Sequence, residues 1–190
     1  GKCFILKNDI VLNSGVLTAV AGGTDGSLQQ WTPIGRRANP DDDVHSFCGS
    51  FDGDGHTVSG LYIDNSSKGV DFLRYTGLFG AVGIGGLLRN IYRCDAYMAE
   101  TVCRAGILCG YAYTEGTAVT DCTVRDSKIK IFKTGAGGSS SAAYQSGYIG
   151  GIAGAIGGNG EIAFCTTENV VLEHADGHNA YIGGIAGAVA

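Results

Sequence analysis

The chain has 190 residues, 44% of them hydrophobic, enough to bury a sizeable core as one domain. Its 33 glycines against 2 prolines follow no three-residue period, which excludes collagen, and apolar residues spread along the whole length exclude a disordered chain. A net charge of −5 argues against a nucleic-acid partner, whose phosphates demand a basic surface.

Taken in chain order, Ile5–Leu12 reads as a strand with a turn beside it, followed by Trp31-Thr-Pro-Ile-Gly35 and by Phe47–Gly60 with its Asp-Gly-Asp-Gly core. Residues 1–65 are read as N-terminal coils or a cap, with Trp31, Phe47 and Phe51 closing the end of the stack. From residue 66 to 190 the sequence repeats. The octet Tyr148-Ile-Gly-Gly-Ile-Ala-Gly-Ala155 recurs as Tyr181–Ala188, and weaker copies are Thr76-Gly-Leu-Phe-Gly80 and Gly106-Ile-Leu-Cys-Gly110. Their last glycines, Gly80, Gly110, Gly154 and Gly187, are spaced by 30, 44 and 33 residues. The long interval holds a Gly/Ser-rich insertion at 134–147, expected as a surface excursion. The octet's G-x-x-x-G resembles a membrane-helix motif, but Gly157, Gly158 and Asn159 interrupt the segment. No apolar run reaches the roughly 18 residues a spanning helix needs.

A second spacing runs in register with the first. Val58, Leu61 and Ile63 are separated by three and then two residues, and so are Ile91, Cys94 and Ala96, then Val119, Cys122 and Val124, then Ile162, Cys165 and Thr167. A two-residue step keeps side chains on one face of a strand, so the three-residue step requires a corner or bulge. Thr57, Ser59, Arg93, Asp95, Thr120, Asp121 and Thr123 then point outward. The expectation is an all-β parallel solenoid with coils ~4.8 Å apart. In it Cys94, Cys122 and Cys165 form one inner column, and Leu78, Leu108, Ile152 and Ile185 another. Phe79, Cys109, Ala153 and Ala186 lie beside the second column, on the opposite face or at a turn. The chain lacks an initiator Met and a signal peptide and stops inside a repeat, which reads as a piece of a longer protein.

The series Trp31-x-Pro-Ile-Gly35, Phe47-x-Gly-x-Phe-Asp-Gly-x-Gly-His-Thr-Val-x-Gly-Leu61, Gly77-Leu-Phe-Gly80 and Gly-Gly-Ile-Ala-Gly resembles bacterial surface proteins that carry the GLUG motif, over residues 31–190. The resemblance implies a right-handed parallel β-helix. It also implies a secreted or cell-surface setting, in adhesin-like proteins or accessory regions of surface proteins such as immunoglobulin A peptidases. It supplies no catalytic residues. Ile107 departs from the pattern by standing where the second glycine belongs, which brings a bulky row into the coil.

The candidate chemistry is sparse, and no catalytic, cofactor-binding or metal site is assigned. Phe51-Asp-Gly-Asp-Gly-His56, with Asp41-Asp42-Asp43 upstream, places carboxylates and an imidazole together. It lacks the later EF-hand ligands, so Asp52, Asp54 and His56 read as turn chemistry. Glu173-His-Ala-Asp-Gly-His178 has H-x-x-x-H spacing but a turn between its imidazoles. The glycine loops at 83–86 and 154–160 lack the lysine and helix of a phosphate cradle, and no G-x-S-x-G is present. Of seven cysteines without C-x-x-C, most read as small buried hydrophobes, with Cys103, the least regular, expected to be the exposed one. Tyr111, Tyr113, Tyr144, Tyr148 and Tyr181, set among glycine and serine, are the candidate binding residues, with sugar rings as a fitting ligand.

The leading expectation is a non-catalytic structural or adhesive segment contacting host or bacterial surface glycans or proteins, with end-to-end self-association as a further partner mode. The alternative is a β-helix polysaccharide lyase or glycoside hydrolase, for which Asp95, Asp121 and Asp126 are the acid row that can be assembled.

Overall fold

The computed structural model describes residues 1–35, 45–67, 75–100, 104–131, 147–175 and 180–189. The fold is mostly β, with parallel sheets. Strands β1 (Cys3–Ile5) and β2 (Ile10–Val11) are followed by a short helix α1 (Val16–Ala21). A first full pass comprises β3 (Ser50–Asp52), β4 (Thr57–Asp64), β5 (Tyr75–Thr76) and β6 (Phe79–Val82). The next comprises β7 (Leu87–Arg89), β8 (Arg93–Glu100), β9 (Arg104–Gly106) and β10 (Cys109–Ala112). A third has β11 (Ala118–Thr120), β12 (Thr123–Ile131), β13 (Gly147–Gly150) and β14 (Ala153–Ile156). The last has β15 (Glu161–Ala163), β16 (Thr166–His174), β17 (Ala180–Gly183) and β18 (Ala186–Val189).

These strands form four sheets, in the orders β1-β3-β7-β11-β15, β2-β4-β8-β12-β16, β5-β9-β13-β17 and β6-β10-β14-β18. From β3 onward each strand pairs in parallel with the strand four places later, so every pass visits the four sheets in one order. The N-terminal stretch fits this plan incompletely. After β2 the chain turns into α1, which lies against β4 and β8, and Ile34 and Phe47 then bridge to Phe79 and Val82 of β6. Phe47 and Phe51 sit 4.8 and 5.3 Å from the Phe79 ring, and the Trp31 indole donates to the Leu78 carbonyl at 3.1 Å. The three aromatics expected to close this end thus pack against its core.

The glycine spacing is reproduced. Phe79, Cys109, Ala153 and Ala186 are successive register partners. Leu78, Leu108 and Ile152, one residue earlier, are buried at the corner that joins the third sheet to the fourth. Backbones crowd at that corner: a Cβ on Gly154 would stand 2.6 Å from both Ala105 N and the Gly110 carbonyl, so no other residue fits without displacing a neighbouring pass. Ile107 is fully buried, placing a bulky side chain inside as expected. One copy is shorter: Thr76 pairs with Ala105 rather than Gly106, which shifts Tyr75 into register with Arg104.

The cysteine column needs correction. Thr120 pairs with Ala163 and Thr123 with Thr166, which sets Cys122 beside Cys165, but Cys94 pairs with Val58 on one side and Val124 on the other. Likewise Val119 is level with Leu88, not Ile91, and Leu61 with Ala96, not Cys94. The cause is a corner of variable length. Leu88 to Cys94 is one residue longer than Val119 to Val124, and a bulge in β12 then restores the register, so that Lys128 pairs with Tyr97. Bulges fall at Gly60 in β4 and Asp126 in β12, both at positive φ. Side chains from the next pass serve the N–H groups displaced there: Gly60 N donates to Asp95 Oδ2 at 2.9 Å and Ala96 N to Ser127 Oγ at 3.0 Å. Between corners, alternation holds. Val124, Ser127, Ile129 and Ile131 of β12 are buried while Lys128 and Lys130 are not.

Candidate binding surface

The third sheet carries an aligned column that is buried at Tyr75 and opens to solvent toward Tyr181. Tyr75, Arg104, Tyr148 and Tyr181 are register partners on β5, β9, β13 and β17. Strand alternation sends Ile149 inward and Tyr148 outward. The Tyr148 and Tyr181 rings stack with centroids 5.2 Å apart and planes within 9°. The Arg104 guanidinium lies 5.3 Å from the Tyr75 centroid, 5.3 Å from that of Tyr148 and 4.4 Å from that of Tyr111, which the fourth sheet supplies. Tyr111 stacks on Tyr113 at 5.1 Å, and the Tyr113 hydroxyl meets Ser46 Oγ at 3.0 Å. The cation thus sits among ring faces, a favourable quadrupole contact. Tyr181, at the edge strand, is 53% exposed.

Of the expected tyrosines, Tyr111, Tyr113, Tyr148 and Tyr181 belong to this surface, while Tyr144 lies outside the described residues. Sequence reasoning missed Tyr75 and Arg104. Arg104 had a signal: it precedes Gly106 by two residues, as Tyr148 precedes Gly150 and Tyr181 precedes Gly183. Tyr75 had none, because the shortened corner moves it one residue off that alignment.

The acidic candidates are held in structural roles. Asp52 Oδ1 accepts from Asp54 N at 2.9 Å and from the Asn90 amide at 3.0 Å, and Arg89 reaches Oδ2 at 2.9 Å. Burial raises its pKa, but these donors and the Arg89 charge outweigh it and hold the carboxyl below its ordinary range. His56 Nδ1 lies 3.2 Å from Asp9, whose carboxyl also accepts from Thr57 N; that backbone bond, then the imidazole, draws Asp9 down in turn. Asp54 and Gly55 turn at positive φ, as Asp-Gly turn chemistry predicts. Asp95 and Asp126 share the Arg93 guanidinium at 3.4 and 2.9 Å, and Asn169 donates to Asp126. Asp121 is a corner residue at positive φ beside a hollow of about 350 Å³ lined by Asp54, Gly55, Asn90 and Tyr92. The proposed acid row is therefore split between a corner and an arginine-bridged pair.

Glu173 pairs with Lys128 at 2.8 Å. Asp41–Asp43, Cys103, His178 and residues 134–146 lie outside the described residues. Among the described residues, no group of three or more His, Cys, Asp or Glu is placed to hold a metal ion, and no helix is long and apolar enough to cross a membrane.

No family model matches this chain, and no solved structure matches it. It is similar to Halomucin of Haloquadratum walsbyi, 50% identical over 54 residues, which are 28% of this chain and, to the nearest per cent, 0% of Halomucin. The chain therefore spans a minute part of that relative, and the match assigns no family.

Proposed function

We propose that the chain is a segment of a right-handed parallel β-helix of GLUG type, acting as a non-catalytic structural or adhesive part of a bacterial secreted or cell-surface protein. The helix reading is supported by the constant order in which each pass enters the four parallel sheets. The surface setting rests on the GLUG resemblance. The observation that carries adhesion is the aligned set Arg104, Tyr148 and Tyr181, with Tyr111 alongside and the buried Tyr75 supporting Arg104. The exposed Tyr181 ring suits the apolar C–H face of a sugar, and the positive charge of Arg104 favours an anionic substituent. A non-catalytic role agrees with acids already engaged by Arg89 and Arg93.

Glycan-array and cell-binding measurements test this reading. Binding that falls about tenfold or more in the Tyr148→Ala/Tyr181→Ala variant, a loss of about 1.4 kcal/mol or more, is the expected result. A chain that binds neither glycans nor cells is a spacer, and the adhesive role is then wrong. End-to-end association is a second mode, favoured by Ile182 and Val189, exposed on β17 and β18, and by Phe164, exposed at the corner after β15. Light scattering across a concentration series tests it, and a constant monomer mass removes it.

A further inference from the structure

The described cysteines are all free thiols, but two of them stand as a pair. Cys122 and Cys165 occupy equivalent corners of successive passes, flanked by the register pairs Thr120–Ala163 and Thr123–Thr166, and Thr166 N donates to the Cys122 carbonyl at 2.9 Å. Adjacent parallel strands lie ~4.8 Å apart, inside the roughly 4.4–6.8 Å between Cα atoms that a disulfide spans. The side chains run the same way. Cys122 Sγ donates to the carbonyl of Thr120 at 3.1 Å, and Cys165 Sγ to that of Ala163, its register partner, at 3.4 Å. Cys165 Sγ is also 3.4 Å from the Val119 carbonyl, on the pass that holds Cys122. Cys122 is 1% exposed, whereas Cys165 is partly open to solvent.

We propose that Cys122 and Cys165 are a disulfide-forming pair that closes on contact with a small-molecule disulfide and staples the last two passes together. The more accessible Cys165 thiolate attacks one sulfur of the reagent. A mixed disulfide forms and one reagent thiolate leaves, taking the proton that Cys165 gave up. Cys122 then loses its proton to the second leaving thiolate as its sulfur attacks Cys165 Sγ. Two protein thiols become one disulfide, and the reagent is reduced to two thiols. The order of attack agrees with the thiol contact itself: hydrogen bonding to Cys122 draws Cys165 below the ordinary thiol range against the opposing effect of burial. The same bond, with burial, pushes Cys122 up. Cys94 and Cys109 are fully buried with thiols pushed up by desolvation, Cys109 to about 12, so neither competes as first nucleophile.

The test is incubation of the folded chain with glutathione disulfide, followed by acid quench, denaturing alkylation and peptide mass mapping. The expected digest yields one linked peptide pair containing Cys122 and Cys165, two hydrogens lighter than the two separate peptides, whatever adducts the exposed Cys3 and Cys48 take up. The Cys122→Ser variant stops at a glutathione adduct on Cys165, and Cys165→Ser gives neither link nor adduct at Cys122. Full alkylation of both thiols after oxidation overturns the proposal, as does a stable adduct on Cys165 in the unsubstituted chain. A link from either cysteine to Cys94, Cys103 or Cys109 overturns it too. Because the unsubstituted chain is read directly, the outcome does not depend on whether either serine variant folds.

Discussion

The same eight residues occur in two places and have two different surroundings. In Tyr148–Ala155, Ile149 and Ile152 are fully buried; in Tyr181–Ala188, the equivalent Ile182 is 50% exposed and Ile185 is 36% exposed. Local conformation is nearly identical, two short strands around a tight corner, and the two octets pair residue for residue. What differs is that the first octet has a pass stacked on each side and the second has one on a single side. The string therefore encodes a shape that fits its own copy, and the stabilisation comes from the copy.

The largest test of that contrast is paired truncation of the two isoleucines. Ile152→Ala removes a fully buried side chain with neighbours on both sides and is expected to cost about 3–4 kcal/mol. Ile185→Ala removes the same atoms from a site open on one side and is expected to cost about 1 kcal/mol. Chemical denaturation of both variants measures the difference, and equal losses would break the comparison.

The next test uses the second glycine of each octet. A Cβ on Gly151 would meet the Gly184 carbonyl and stand 2.7 Å from Thr167 Cγ2, while one on Gly184 meets nothing within 4 Å. Gly151→Ala is expected to destabilise by about 2 kcal/mol through overpacking against the last pass. Gly184→Ala is expected to stay within about 0.5 kcal/mol of the parent. Thermal unfolding of the pair reads this directly, and a harmless Gly151→Ala would mean that the last pass is not seated where its register places it.

These contrasts also explain how far the sequence could be read. The corner joining the third and fourth sheets is marked by last glycines, Gly110, Gly154 and Gly187, that neighbouring backbones leave no room to replace, so its spacing survived in the string and predicted Phe79, Cys109, Ala153 and Ala186 as one column. The corner between the first and second sheets carries such a glycine at Gly53 and none in the later passes. It gains or loses a residue and is compensated by a bulge at Gly60 or Asp126, so the apolar spacing looked constant while the register moved, and Cys94 fell beside Val124 instead of Cys122. The binding surface was half legible for a related reason. Tyrosines announce themselves by repetition, whereas Arg104 fills a tyrosine's place without resembling one and Tyr75 reaches the column through a shortened corner.

Corners themselves extend the comparison from the last pass to the first. After β3 the turn is braced by Asp52, which gathers Asp54 N, the Asn90 amide and Arg89 from the following pass. Because Asp52's folded pKa is lowered, its contribution is fully present above the unfolded carboxylate value of about 3.9 and is lost as pH falls through the folded value. Asp52→Asn is expected to cost about 1–2 kcal/mol at pH 7 by removing charge-assisted hydrogen bonds, and less as the pH falls below about 4. Unfolding midpoints of both chains between neutral and acid pH check the convergence. A cost independent of pH would assign the effect to packing and not to the carboxylate.

The equivalent corner after β15 has no such brace among the described residues, and its residue is unsuited to it. Phe164 sits at φ 55° and is 85% exposed, whereas the residues aligned with it, Asn90 and Asp121, hold φ 54° and 55°. Asn90 N bonds the Thr120 carbonyl and Asp121 N bonds the Ala163 carbonyl, so the three are successive occupants of one turn. Asparagine and aspartate tolerate the left-handed region because their short polar side chains bond the nearby backbone, while a bulky residue pays about 1 kcal/mol or more to be there. So exposed a ring contributes little burial in return. Phe164→Asn is therefore expected to stabilise the chain by about 0.5–1 kcal/mol, and Asp121→Phe, its mirror one pass inward, to destabilise it by at least as much. Equilibrium denaturation of the two variants side by side decides the point: a loss on Phe164→Asn would mean that the ring packs against a surface worth more than the strain it carries.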